Sequence, residues 1–163
     1  MTGNKQIQYL AVMGTILSLT AFACTRSDDP LRIVRAYNDA VILAHQTGDI
    51  SKLGDVAGER EARVVGVLVN TKRGAGLVLE ATLERIEVQS SARTGPDSLL
   101  IDTTEKWRYY DRPLKPGSSP GQTIEAAMKV QYECERRVSI WKVMKVKVLE
   151  NTFLSRQGTD KKN

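Results

Sequence analysis

Few residues in this chain could carry chemistry. Among 163 residues there is one histidine, His45, and there are two cysteines, Cys24 and Cys134. A proton-transfer site needs a carboxylate in an apolar pocket and a donor, often a tyrosine, facing the developing negative charge. We therefore read carboxylates and tyrosines by strand parity. In Leu99–Asp111, Leu99, Ile101, Thr103, Trp107 and Tyr109 share one parity, and Asp102, Thr104, Lys106 and Arg108 share the other. Glu105 falls on the parity of Trp107 and Tyr109 and is the one odd carboxylate; its expected place is a rim or a bulge. Asp102 is expected to point outward, and Asp111 to sit in a local ion pair with Arg112. Tyr37, Tyr109 and Tyr132 read as core aromatics with the hydroxyl at a rim. His45, at the end of a helix and the edge of its stripe, reads as a surface or capping residue.

Other chemistries find less support. No G-x-S-x-G, P-loop, H-E-x-x-H or G-x-G-x-x-G run occurs. Gly74-Ala75-Gly76 is too short to cradle phosphate and serves as a helix stop. In MKVQYEC, Met128, Val130, Tyr132 and Cys134 alternate with polar residues, so Cys134 is expected to be a buried small hydrophobe. That opposes both a Cys–His nucleophile and a Cys24–Cys134 disulfide. Two cysteines and one histidine give almost no support for a metal site, and no cofactor is expected. The net charge is +5, and the densest basic stretch, Lys142–Lys147, alternates with apolar residues as a strand with one wet face does. No nucleic-acid partner is expected.

Cys24 is the remaining reactive group, and its setting is an export signal. Met1–Gln8 is polar with one charge, Lys5, and Tyr9–Ala23 is an uncharged apolar run of 15 residues. A spanning helix needs about 20 residues, whereas a signal-peptide core needs about 7–15. Ala21-Phe22-Ala23 has the small-x-small shape of a cleavage site before Cys24. The same stretch resembles a bacterial lipobox, whose final Cys becomes diacylated. It departs from that pattern at Ala21 and at bulky Phe22. The resemblance implies residues 1–23 as signal peptide, cleavage between Ala23 and Cys24, a lipidated Cys24, and a tether through residue 29. With Thr25 after the cysteine, it favours the periplasmic face of an outer membrane. Plain secretion, with the protein soluble in the periplasm or outside, is the alternative.

The elements that would position these residues follow. Asp29 and Pro30 open a helix over 30–47, with Leu31, Val34, Tyr37, Val41 and Ala44 as its stripe and Gly48 as its stop. A second helical segment is expected near 58–72. After Gly76 the period changes to alternation, with strands at 77–89, 99–111, 124–136 and 140–151. One bulge is expected in the first strand and one at 143–144 in the fourth. Arg112–Thr123 is a Pro/Gly/Ser loop, and 152–163 reads as a disordered tail. The domain thus spans 30–151. It is α+β, with N-terminal helices packed on a curved four-stranded antiparallel sheet.

AYNDAVILAHQTGDISKL, EKWRYYD and VQYECERRVSIWKVMKVKV resemble the NTF2-like, cone-shaped superfamily. The resemblance covers roughly residues 30–150 and implies a bent sheet and helices enclosing a cone with an open end. It includes membrane-tethered and non-catalytic modules as well as enzymes. It also implies a homodimer through the open sheet face. The expectation is a non-catalytic binding or accessory module of the bacterial envelope, held to the membrane by lipid and meeting an envelope protein. The alternative is a small-ligand-binding protein or an isomerase- or dehydratase-like enzyme using the cone. Two surfaces stand out. One is the cone rim with Glu105, Trp107, Tyr109, Tyr110, Tyr132 and the loop at 112–123. The other is the basic strand with Lys142, Lys145 and Lys147. An inward carboxylate bonded to a tyrosine in a pocket of several hundred Å3 would favour the alternative. A cone filled by Trp141, Met128 and Val130 would sink it.

Overall fold

The computed structural model describes residues 28–157. The expected signal segment, the expected Ala23–Cys24 cleavage site and most of the expected tether lie outside the described residues, as does 158–163. Three helices, α1 (Pro30–Thr47), α2 (Leu53–Val56) and α3 (Glu59–Gly74), precede four strands. These are β1 (Leu77–Gly95), β2 (Ser98–Pro113), β3 (Thr123–Arg137) and β4 (Ile140–Gln157). They form one antiparallel sheet in the order β1-β2-β3-β4. The expected α+β architecture is the observed one. No helix among the described residues is long and apolar enough to cross a membrane.

α1 starts and stops where its caps dictate. The Asp29 side chain accepts from the Leu31 amide at 3.1 Å, Pro30 opens the helix, and Gly48 closes it at φ 82°. Val34, Tyr37, Ala40 and Ala44 are buried, which follows the apolar stripe. The core joins α1 to the sheet through Val34, Tyr37, Ile101, Val130, Tyr132 and Val143. A second cluster, with Ala44, Leu53, Val65 and Val69, joins the three helices. At the other end of the helical layer, the Gly58 amide donates to the Val143 carbonyl at 2.8 Å and ties α3 to β4.

The strands run further than expected. β1 continues through 90–95, so its turn to β2 is very short, and its register shifts three times rather than once. Alternation is lost at each shift, which hides the strand's continuation in the sequence. The Met144 bulge is where it was expected: Cys134 pairs with Val143, and Glu133 with Lys145. The segment 152–157, expected as the start of a disordered tail, is strand. Its ladder partners are Thr123–Ala127 of β3, and such long-range pairing leaves no local signature. The loop 114–122 is anchored, with the Leu114 amide donating to the Gly76 carbonyl at 2.8 Å and the Gly121 amide to the Asp111 carbonyl at 2.6 Å.

Candidate functional site

The helices cover one face of the sheet and leave a cavity of about 480 Å3 between them. Met128, Val130, Val146, Val148, Leu79 and Leu68 form its apolar walls. Direct pairing explains the convergence. Val130 lies opposite Thr103 and Val148, and Tyr132 opposite Ile101 and Val146, so these side chains share one face. Met128 and Val130 thus line the cavity without filling it. Trp141 is not in it; its indole Nε1 donates to Asp28 at the far end of the sheet, at 2.8 Å.

Glu105 lies at the heart of this cavity, only 2 % exposed. This corrects the expected rim position. Its parity with Trp107 was sound, but the carboxylate is buried because three donors solvate it. Oε1 accepts from the Tyr132 hydroxyl at 2.6 Å and the Thr103 hydroxyl at 2.9 Å, and Oε2 accepts from Trp107 Nε1 at 2.7 Å. Asn38 Nδ2 donates in turn to the Tyr132 oxygen at 3.1 Å. A chain of polar groups therefore runs from α1 through β3 to β2. Tyr132 is 1 % exposed, so its hydroxyl is inside and not at a rim. Burial, then the adjacent Glu105, raises its pKa far above the usual phenol range.

A second tyrosine–carboxylate pair lies beside the first. The Tyr37 hydroxyl donates to Glu61 at 2.7 Å. Burial first, then that bond, raises the Tyr37 pKa strongly. Its ring meets Tyr132 edge-on at 6.0 Å. Tyr37 too is buried, against the expected rim hydroxyl. Glu61 was missed as a site residue: it sits among charged neighbours at the start of α3, and the only signal was its spacing of four from Val65.

At the open end the wall turns polar. His45 is 8 % exposed, lines the cavity, and has no hydrogen-bond partner at Nδ1. It is not a surface or capping residue. Burial first, then the Lys72 charge, lowers its pKa below the usual imidazole value. Lys72 grips Asp111 at 2.7 and 2.8 Å. Asp111 therefore pairs with α3 and not with Arg112, which reaches Glu80 at 2.8 Å. Of the expected rim set, Trp107, Tyr109, Glu105 and Tyr132 line the cavity, and Tyr110 does not. Tyr110 has the opposite parity and pairs with Glu80. Asp102 does face away, bonded to Ser90 and Gln131 at 2.7 and 2.9 Å. Cys134 is buried, and burial raises its thiol pKa to about 12. Among the described residues no group of three or more His, Cys, Asp or Glu is placed to hold a metal ion.

Helices over a four-stranded antiparallel sheet, with a polar cluster in the cavity between them, are the α+β fold of NTF2-like proteins. Solved structures share this fold. The intermembrane space region of chloroplast protein ARC6 matches over 72% of this chain and 92% of its own, at 22% identity and TM-score 0.65. A candidate dehydratase from the NTF2-like family of Streptomyces avermitilis matches over 75% of this chain and 97% of its own, at 14% identity and TM-score 0.50. No family model and no curated protein matches the chain.

Proposed function

We propose that this domain is a membrane-tethered binding module of the bacterial envelope that takes a small, largely apolar molecule into its cone. One observation carries the reading: an unfilled apolar cavity of about 480 Å3 with a single hydrogen-bonded carboxylate inside it. A cavity of this size suits a small ligand, with apolar walls for affinity and a few polar groups for orientation. His45 Nδ1, unpartnered on the wall, supplies one such group.

The binding role is non-catalytic. A carboxylate has about four lone-pair positions, and protein donors take three of them on Glu105. It is thereby an anchor for Tyr132 and Trp107 more than a free base. Among the described residues no hydrogen bond joins it to His45. Tethering rests on the Cys24 signal, and likeness to a domain from an intermembrane space supports an envelope setting. Partnership with an envelope protein remains part of this proposal.

The test is mass spectrometry on the full chain purified from its own envelope. Diacylated Cys24 at the mature N-terminus and a co-purifying apolar small molecule are expected. Ala81→Trp, which fills the cavity, should remove the small molecule. An unmodified Cys24 amine overturns the tether. A cavity empty in the native chain, or equal content in the variant, overturns the binding role.

A further inference from the structure

The point where the tether enters the fold is fixed by side chains at one end of the sheet. Asp28 accepts from Trp141 Nε1 at 2.8 Å, pairs with Arg93 of β1, and lies 3.8 Å from Arg136 of β3. The guanidinium groups of Arg93 and Arg136 stand 5.8 and 5.4 Å from the centre of the Trp141 ring. Asp28 is thus bolted to the end where the β1–β2 and β3–β4 hairpins turn. From there to Cys24 is four residues, a reach of no more than ~14 Å. The cavity mouth and the loop 114–122 lie toward the opposite end. At about 3.3 Å per residue, the 15 residues of β3 separate the two ends by roughly 50 Å.

The turn at this end has an unusual tip. Val138 and Ser139 both adopt left-handed backbone, at φ 49° and 81°. Two-residue turns of this kind favour Asn-Gly, and a β-branched residue there is strained. Val138 is also 98% exposed, and the adjoining Ile140 is 45% exposed. In water, valine brings this hairpin strain and a bare apolar side chain. Strain of this kind, observed directly, points toward function. The charges around it are already matched, Arg137 with Glu135 and Arg136 with Asp97. What the tip offers a partner is therefore apolar contact within the reach of a lipid anchor.

We propose that this hairpin end is a bilayer-contacting surface. Val138 and Ile140 enter the interfacial region of the membrane that holds Cys24, as the apolar face of a peripheral segment does. The domain then stands on its hairpin turns with the cavity mouth directed away from the lipid. This rests on the tethering proposed above.

The experiment uses the full, lipidated chain in phosphatidylethanolamine–phosphatidylglycerol vesicles containing lipid brominated near the headgroup. A fluorophore is placed at Ser139→Cys or, as the distal control, at Ser118→Cys; Cys134 is buried. Strong quenching at 139 and none at 118 is expected. Val138→Asn should raise Tm and at the same time weaken quenching at 139. Chain that floats with the vesicles yet shows no quenching at 139, or equal quenching at both sites, overturns the orientation and leaves the tether standing. Chain that does not float overturns the tethering itself, and the orientation with it. Undiminished quenching in Val138→Asn overturns the role of the valine.

Discussion

Glu105 shows how a carboxylate can be buried without a cation beside it. Tyr132, Thr103 and Trp107 donate to it from two strands, replacing the water it gave up. Glu105→Ala removes the acceptor of Trp107, while Thr103 keeps the Val130 carbonyl at 3.3 Å and Tyr132 keeps Asn38 Oδ1 at 3.4 Å. At about 1–3 kcal/mol for an unsatisfied group, the variant should lose stability in that range in chemical denaturation. Tyr132→Phe removes one donor and should cost less. His45 provides the pH dependence at this scale. Its folded pKa is depressed, so the unfolded chain binds the proton first as pH falls. Stability is full above the unfolded value of about 6.5 and declines below it. Thermal melts from pH 8 to 5 should show this fall, and His45→Gln should flatten it.

Helix ends and bulges decide how the elements meet. Gly48 ends α1 at φ 82°, and a Cβ there would meet the Arg73 side chain at 2.6 Å. Left-handed backbone alone costs a non-glycine residue about 1–2 kcal/mol, so Gly48→Ala should lose at least that much in equilibrium unfolding. The stop was legible because Gly48 comes one helical turn after Ala44, the last residue of the apolar stripe. The Met144 bulge was legible because Trp141 and Val143 differ in parity from Val146 and Val148. The extension of β4 to Gln157 was not, since Asn151, Thr152 and Ser155 break the alternation. Their strand state comes from pairing with β3, a partner more than twenty residues away.

For the molecule as a whole, the open face of the sheet bears on association. Lys106 pairs with Glu84 at 2.9 Å and lies 3.7 Å from Glu125; Lys129 meets Glu150 at 2.9 Å, and Lys145 meets Glu133 at 3.0 Å. Each exposed pair contributes little, but burying the set against a second copy would strip water from many charges. Stable homodimers have an apolar interface core instead. Sedimentation of the detergent-solubilised chain should therefore show a monomer, and a dimer disrupted by Lys106→Glu would contradict this. The superfamily resemblance implies a homodimer through that face, and the same sedimentation experiment tests it.

The sequence by itself determined the order of elements, the limits of α1, the burial of Cys134 and the inward parity of Glu105. These depend on caps, period and alternation, which act between near neighbours. It also set Cys24 directly behind an uncharged apolar run of 15 residues. Tertiary structure alone decided that Glu105, Tyr132 and Asn38 form one buried chain, that His45 and Glu61 turn inward, and that Asp28 is clamped beside a strained hairpin tip. Each of these joins residues far apart in the chain, where burial of a polar group depends on which donor or acceptor the fold brings to it. No local pattern encodes that meeting.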